Sequence, residues 1–217
     1  MNRLSGLYVI TDQDLHPGRT HGQIAAAAIE GGARIIQIRD KNASDRDFYK
    51  AALEVRRLTA DAAALFIVND RVDVAAAVHA DGVNLGQTDL PVPVARKLLG
   101  NRALVGVSAD DLDEVRQAQI DGADYLGFGP VFPTGTKSDA GPVSGLETLT
   151  QVCKLADAPV VAIGGIDASN IASVAPAGAA CAAVVSAVVC AEDMVKATAE
   201  LVALFEKAAP LDSEIQE

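Results

Sequence analysis

Gly32-Ala-Arg-Ile-Ile-Gln-Ile-Arg-Asp-Lys41 holds the plan of the whole chain in one short segment. A glycine at a helix end lets the chain reverse. The β-rich run Ile35–Arg39 follows, and Gln37, Arg39 and Lys41 alternate along it and past it, which on an extended strand puts them on one face. The same kind of entry turn returns as His79-Ala80-Asp81, Gly122-Ala123-Asp124 and Gly178-Ala179-Ala180, at intervals of 47, 43 and 56 residues. The repeating unit is therefore two β/α modules, used four times.

Working outward, strand-like runs are expected at Leu7–Thr11, Ile35–Arg39, Leu65–Asn69, Gly82–Leu85, Leu104–Ser108, Tyr125–Gly129, Val160–Gly164 and Cys181–Ser186. Helical segments fall between them at His21–Glu30, Asp45–Thr59, Pro91–Leu99, Leu112–Asp121, Leu146–Leu155 and Glu192–Lys207. Eight β/α units predict an α/β fold: a single-domain, parallel eight-stranded (β/α)8 TIM barrel over residues 1–208, with a polar tail at 209–217 expected to be frayed. An open doubly wound sheet is the competing arrangement. The even repeat, and the lack of a glycine-rich first βα turn, place it second.

The 217 residues suffice for one large core, and 50% of them are apolar while only 4% are aromatic. Such a core is built from Ala, Val, Ile and Leu, as in strands covered by helices. A formal net charge of −11 argues against general attraction to nucleic acid or an anionic membrane. Any anionic ligand must then be held by a local basic cluster. Cys153, Cys181 and Cys190 have no metal or disulfide spacing and read as buried free thiols of a cytoplasmic protein. No signal peptide is visible, and the uncharged stretch Ile171–Ala191 is too rich in alanine, with Pro176 and Gly178 inside it, for a membrane span; a buried helix–turn–strand is expected there.

In a parallel barrel, function gathers where strands end. Those ends read Thr11-Asp12, Gln37 to Lys41, Asn69-Asp70, Gly86-Gln87-Thr88-Asp89, Ser108, Gly127 to Lys137, Gly164-Gly165 and Val185-Ser186. Arg39 and Lys41 suit a diphosphate, the guanidinium as a fork and the ammonium as a point charge; a rim salt bridge with Asp40 or Asp45 is the plainer alternative. Asp70 and Asp89 end consecutive strands, where paired like charges call for a cation, and Mg2+ takes one or two carboxylates together with phosphate oxygens. Helix capping is the alternative for each. The loop Thr134-Gly135-Thr136-Lys137, with Gly164-Gly165 and Val185-Ser186, offers hydroxyls, main-chain N–H groups and a charge to a monophosphate. His16, His21 and His79 share no motif, so neither a histidine metal site nor a Ser-His-Asp triad is expected.

Six motifs in order, Gln37-x-Arg39-x-Lys41, Asn69-Asp70-Arg71, Leu85-Gly86-Gln87-x-Asp89-Leu90-Pro91, Gly106-Val107-Ser108, Gly127–Lys137 and Ala162-Ile-Gly-Gly-Ile166, resemble those of the thiamine-phosphate synthase family from about Leu7 to Val188. The resemblance implies an enzyme that joins a hydroxymethylpyrimidine diphosphate to a thiazole phosphate, with or without a carboxylate on the thiazole. The products are thiamine monophosphate and diphosphate. It implies that Gln37, Arg39, Lys41, Asn69, Ser108 and Lys137 bind the pyrimidine diphosphate, with Arg39, Lys41, Ser108 and Lys137 as the catalytic set. Asp70 and Asp89 would hold Mg2+. Thr134, Gly135, Thr136, Gly165, Val185 and Ser186 would receive the thiazole phosphate. The partners implied are these two small molecules, with neither nucleic acid nor membrane and with a homo-oligomer left open.

This chain departs from the family where it has Asn84 for a frequent histidine and Asp40 for glutamate, and where strand eight opens Ala179-Ala180-Cys181 rather than Ala-Asp-Gly. A thiazole tautomerase of the same fold need not handle a diphosphate, so the intact charged set argues against it. A sugar-phosphate isomerase or aldolase would want a paired acid and base or a deep Schiff-base lysine, and neither is evident. A non-catalytic sensing barrel would not need a complete metal site.

Overall fold

Residue alternation along the eight apolar runs closes them on one another. The computed structural model describes residues 4–136 and 141–209. Its strands are β1 (Gly6–Thr11), β2 (Ile35–Ile38), β3 (Leu65–Asn69), β4 (Gly82–Leu85), β5 (Leu104–Ala109), β6 (Tyr125–Phe128), β7 (Val160–Ile163) and β8 (Cys181–Val184). Each pairs in parallel with its sequence neighbour, and β8 pairs with β1, so the sheet is a closed barrel in sequence order. Val9 sets the seam, lying level with Ile36 on one side and Val184 on the other.

The helices are α1 (His21–Glu30), α2 (Asp45–Asp61), α3 (Val72–Ala77), α4 (Val92–Leu99), α5 (Leu112–Ile120), α6 (Gly145–Leu155), α7 (Ser186–Val189) and α8 (Met194–Ala208). Three expectations change. Strands 2, 6, 7 and 8 stop one or two residues early, because their last polar or glycine residues leave the ladder for the mouth. Short helices α3 and α7 appear where no helical segment was expected. The expected helix at Ile171 is one 3-10 turn, Ile171–Ser173, and its chain meets Pro176, which cannot donate to a continuing helix. The tail from residue 210 lies outside the described residues.

Three of the four expected entry turns share one structural device. The fourth, at Gly178 (φ 101°), follows the 3-10 turn and lacks that closure, while α2 ends in the same device before β3, so it is not confined to every second strand. After α1, α2, α3 and α5 the chain passes through a left-handed residue, Gly32 (φ 100°), Ala63 (53°), His79 (52°) and Gly122 (84°). The next N–H reaches back to close the helix: Ala33 to Ala28 O, Ala64 to Thr59 O, Ala80 to Ala75 O and Ala123 to Ala118 O. This Schellman closure satisfies carbonyls that a helix end leaves open. In two quarters the third residue of the turn is an aspartate with a matching job. Asp81 accepts from Phe66 N at 2.9 Å and Arg56 Nη1 at 2.8 Å, and Asp124 accepts from Val105 N at 2.7 Å and from Arg96.

Strand parity divides the core into two layers. Ile36, Ile38, Phe66, Val68, Val83, Val105, Leu126 and Ala162 point outward and pack under the helices. Tyr8, Ile10, Ile35, Leu65, Ile67, Tyr125, Val161 and Cys181 point inward and fill the barrel. Gly106 makes room for the Tyr125 ring, which occupies the place of any Cβ there. The inward row continues upward into the polar residues at the mouth. Of the cysteines, all free, only Cys181 is buried; Cys153 is half-buried and Cys190 exposed, so the expectation of three buried thiols holds for one. Burial pushes the Cys181 thiol up to about 12. No helix among the described residues is long and apolar enough to cross a membrane.

Candidate active site

Inward residues at the strand ends enclose a cavity of about 470 Å³ at the C-terminal mouth of the barrel. Its floor is a polar chain set in aliphatic packing. Gln37 Nε2 donates to the Tyr8 hydroxyl at 2.7 Å, and the Tyr8 and Tyr125 hydroxyls lie 3.3 Å apart. Burial raises both phenols well above their ordinary range, so they remain neutral. Gln37, 3% exposed, is thus a paired buried amide at the cavity floor.

One side of the mouth carries charge. Arg39 and Lys41 lie beyond the last residue of β2, yet both border the cavity, as the alternation predicts. Arg39 Nη1 donates to Asp12 Oδ2 at 2.7 Å, and Lys41 Nζ lies 3.3 Å from Asp70 Oδ2. Neither basic group takes the expected alternative partner, Asp40 or Asp45. Asp70 and Asp89 are brought into contact. Burial first, and then the neighbouring Asp89 carboxyl, raise the Asp70 pKa, while Lys41 pulls against them. Asp89 Oδ2 accepts from Gly86 N at 2.7 Å, which fixes it facing Asp70. Neither carboxylate caps a helix: the N-cap residues of α3 and α4 are Arg71 and Pro91, with no side-chain cap bond at either.

Between floor and charge, Asn84 Nδ2 donates to Ser108 Oγ at 3.0 Å, and Gln87 Nε2 donates to Ser108 O at 2.7 Å. Asn69 borders the same space. Across the barrel stand Thr134, Thr136, Gly165, Val185 and Ser186, with the Thr136 and Ser186 hydroxyls 3.5 Å apart. Gly164 has φ 98°, and a Cβ on it would lie 2.5 Å from Pro130 Cα, so the β6–α6 loop packs directly on this turn. The glycine pair is thus needed for packing as well as for ligand approach. Asn170 Nδ2 holds the turn through Gly165 O at 2.8 Å. One expected residue is not brought in: Gly135 is exposed and does not border the cavity. Lys137 lies outside the described residues.

Tyr8, Asp12 and Tyr125 were not singled out as site residues, although parity could have found them. Tyr8, Ile10 and Asp12 alternate on β1 and its exit, and all border the cavity. Buried His21 is a second omission; its imidazole bonds Thr11 and Asp40 behind the mouth. His79 sits in an entry turn at the opposite end. Among the described residues no group of three or more His, Cys, Asp or Glu side chains is arranged to hold a metal ion. The pair Asp70 and Asp89 supplies two carboxylates, a donor set that fits Mg2+ when ligand oxygens and water complete the shell.

A closed barrel with cationic, carboxylate and hydroxyl groups converging on one mouth defines an enzyme of the phosphate-handling TIM-barrel class. A family profile described as thiamine monophosphate synthase matches residues 7–188. A thiamine-phosphate synthase of Chloroflexus aurantiacus is 54% identical over 198 residues, covering 91% of this chain and 91% of its own. One from Methanocella arvoryzae is 49% identical over 199 residues, covering 92% of this chain and 94% of its own. The solved thiamine phosphate pyrophosphorylase of Pyrococcus furiosus superposes with a TM-score of 0.88 at 46% identity, covering 96% of this chain and 98% of that one. The chain belongs to the thiamine monophosphate synthase family, a family of transferases.

Proposed function

We propose that the chain joins 4-amino-2-methyl-5-hydroxymethylpyrimidine diphosphate to a thiazole phosphate, giving thiamine monophosphate and diphosphate. One observation carries this reading: a diphosphate-type corner (Arg39, Lys41, Asp70, Asp89) and a monophosphate-type corner (Thr136, Gly165, Ser186) share a single cavity. A site for one phosphorylated substrate would need only one of them.

The bond that breaks joins the pyrimidine methylene carbon to the diphosphate oxygen, and the electron pair leaves with the oxygen. The 4-amino group delocalises the positive charge left on the methylene. The thiazole nitrogen then supplies the pair for the new C–N bond. No proton changes hands in that exchange, so no general base is required. Arg39, Lys41 and Lys137 bind the departing diphosphate and stabilise its growing charge. Ser108, oriented by Asn84, and Asn69 hold the donor beside them. Gln37, anchored on Tyr8, turns its amide toward the pyrimidine. Thr134, Thr136, Gly165, Val185 and Ser186 hold the thiazole phosphate so that the nitrogen faces the methylene, which removes much of the entropic barrier. Mg2+, held by Asp70 and Asp89, supplies charge neutralisation of the diphosphate when bound.

The test mixes both substrates with Mg2+ and follows diphosphate release with and without chelator. Release should need both substrates and should fall away with chelator. No metal-dependent release would refute the reading.

A further inference from the structure

We propose that His21 is a positioning residue for the diphosphate corner: from behind the site it pulls Asp40 back and so turns Arg39 and Lys41 forward. The inference rests on the reading of that corner given above. His21 is 2% exposed, lies at the start of α1 and does not border the cavity. Its Nδ1 lies 2.6 Å from Thr11 Oγ1, at the end of β1, and its Nε2 lies 3.2 Å from Asp40 Oδ2. Burial lowers the His21 pKa, outweighing the pull of Asp40, Asp12 and Asp14, so the ring is neutral. A neutral ring has one donor. With a carboxylate at Nε2, that nitrogen carries the proton, and the Thr11 hydroxyl donates to Nδ1.

Asp40 is the residue between Arg39 and Lys41. Its Oδ1 accepts from Asn42 N at 2.9 Å and Ala43 N at 2.8 Å, so one carboxylate shapes the turn and anchors it to α1. Successive residues of extended chain face opposite ways. Drawing Asp40 toward His21 therefore presents its two neighbours to the cavity. Thr11 is followed by Asp12, whose carboxylate holds Arg39 at 2.7 Å. The ends of β1 and β2 are thus tied twice, once behind the site through Thr11, His21 and Asp40, and once in front through Asp12 and Arg39. An apolar side chain in the His21 pocket could fill its volume, but it could not direct the turn.

The experiment measures binding of inorganic diphosphate at fixed Mg2+ by calorimetry, together with KM for each substrate, in the parent, His21→Leu and His21→Gln. His21→Leu should lose about tenfold in diphosphate affinity, the lower end of what supporting residues around a binding site typically cost. KM for the thiazole phosphate should stay within about twofold, since the other corner is untouched. His21→Gln, whose Nε2 can donate to Asp40, should recover part of the loss. A folded His21→Leu protein that binds diphosphate like the parent overturns the inference, as does an equal rise in both KM values. Should His21→Leu fail to fold, Thr11→Val decides by the same criteria with a smaller shift, about threefold, from loss of one hydrogen bond. If the parent releases no diphosphate from its two substrates, the functional reading fails; a competent parent with an unaffected variant defeats only the role of His21.

Discussion

Asp70→Asn separates the electrostatics of the carboxylate pair from its backbone. Asp70 is at φ 61°, in the left-handed region that asparagine also tolerates, so this change leaves the main chain unstrained where alanine would not. Its pKa is raised by burial and by Asp89, with Lys41 opposing. A carboxyl whose folded pKa is raised stabilises the fold at low pH and loses that contribution as pH rises through the folded value. When both carboxylates are ionised they repel. Two like charges about 4 Å apart at an effective dielectric constant of about 20 repel by roughly 4 kcal/mol. Partial exposure and the loss of the Lys41 pair reduce the net gain on neutralising one of them to about 1 kcal/mol. The metal-free variant should therefore melt about 2–4 °C above the parent at pH 7, and the gap should narrow as pH falls and the parent carboxyl takes up its proton. With Mg2+ and diphosphate the order should invert. The parent gains about 2.7 kcal/mol at a hundredfold excess over Kd, and the variant loses one of its two metal carboxylates. Scanning fluorimetry across pH, with and without Mg2+ and diphosphate, reads both effects. A variant that melts below the parent at pH 7 without metal, or gains as much from Mg2+ and diphosphate, would refute the argument.

Three further outcomes are expected. Gly164→Ala should cost at least about 3 kcal/mol by chemical denaturation, since a Cβ at φ 98° would press on Pro130 Cα at 2.5 Å. In the entry turns, His79→Gly should gain about 0.5 kcal/mol by relieving φ 52°, whereas Gly122→Ala at φ 84° should lose about 1 kcal/mol; equal signs in denaturant melts would contradict the turn assignment. Lys137→Ala should slow single-turnover C–O cleavage by about a hundredfold or more while thiazole-phosphate binding changes little. Equal losses in both would remove Lys137 from the diphosphate side.

The sequence reveals most where one physical rule repeats. Gly32, His79 and Gly122 occupy the same helix-closing turn, so a three-residue pattern along the chain marks the helix ends that lead into β2, β4 and β6; Ala63 makes the same turn before β3 without the glycine or histidine that would reveal it. Parity places Gln37, Arg39 and Lys41 on one inward row, and their position at strand ends places Asn69 and Ser108 at the mouth, before any contact is known. What stayed hidden depends on pairs far apart in sequence, chosen by packing rather than by period. Gly164 reads as an anion-binding glycine until Pro130 is seen against it, and Asp40 reads as a rim charge until His21 is found behind it. Gly135, expected at the thiazole phosphate from its place in the loop and from the resemblance, carries no side chain to direct inward and does not border the cavity. The hidden contacts share a position: they lie one layer behind groups that face the cavity, where a single strand's alternation no longer applies and two elements must meet. In a barrel whose mouth is assembled from eight separate strand ends, that layer determines whether correctly chosen side chains also point the correct way. His21 and Asp40 make this measurable, because neither borders the cavity and both should change how tightly it holds a diphosphate.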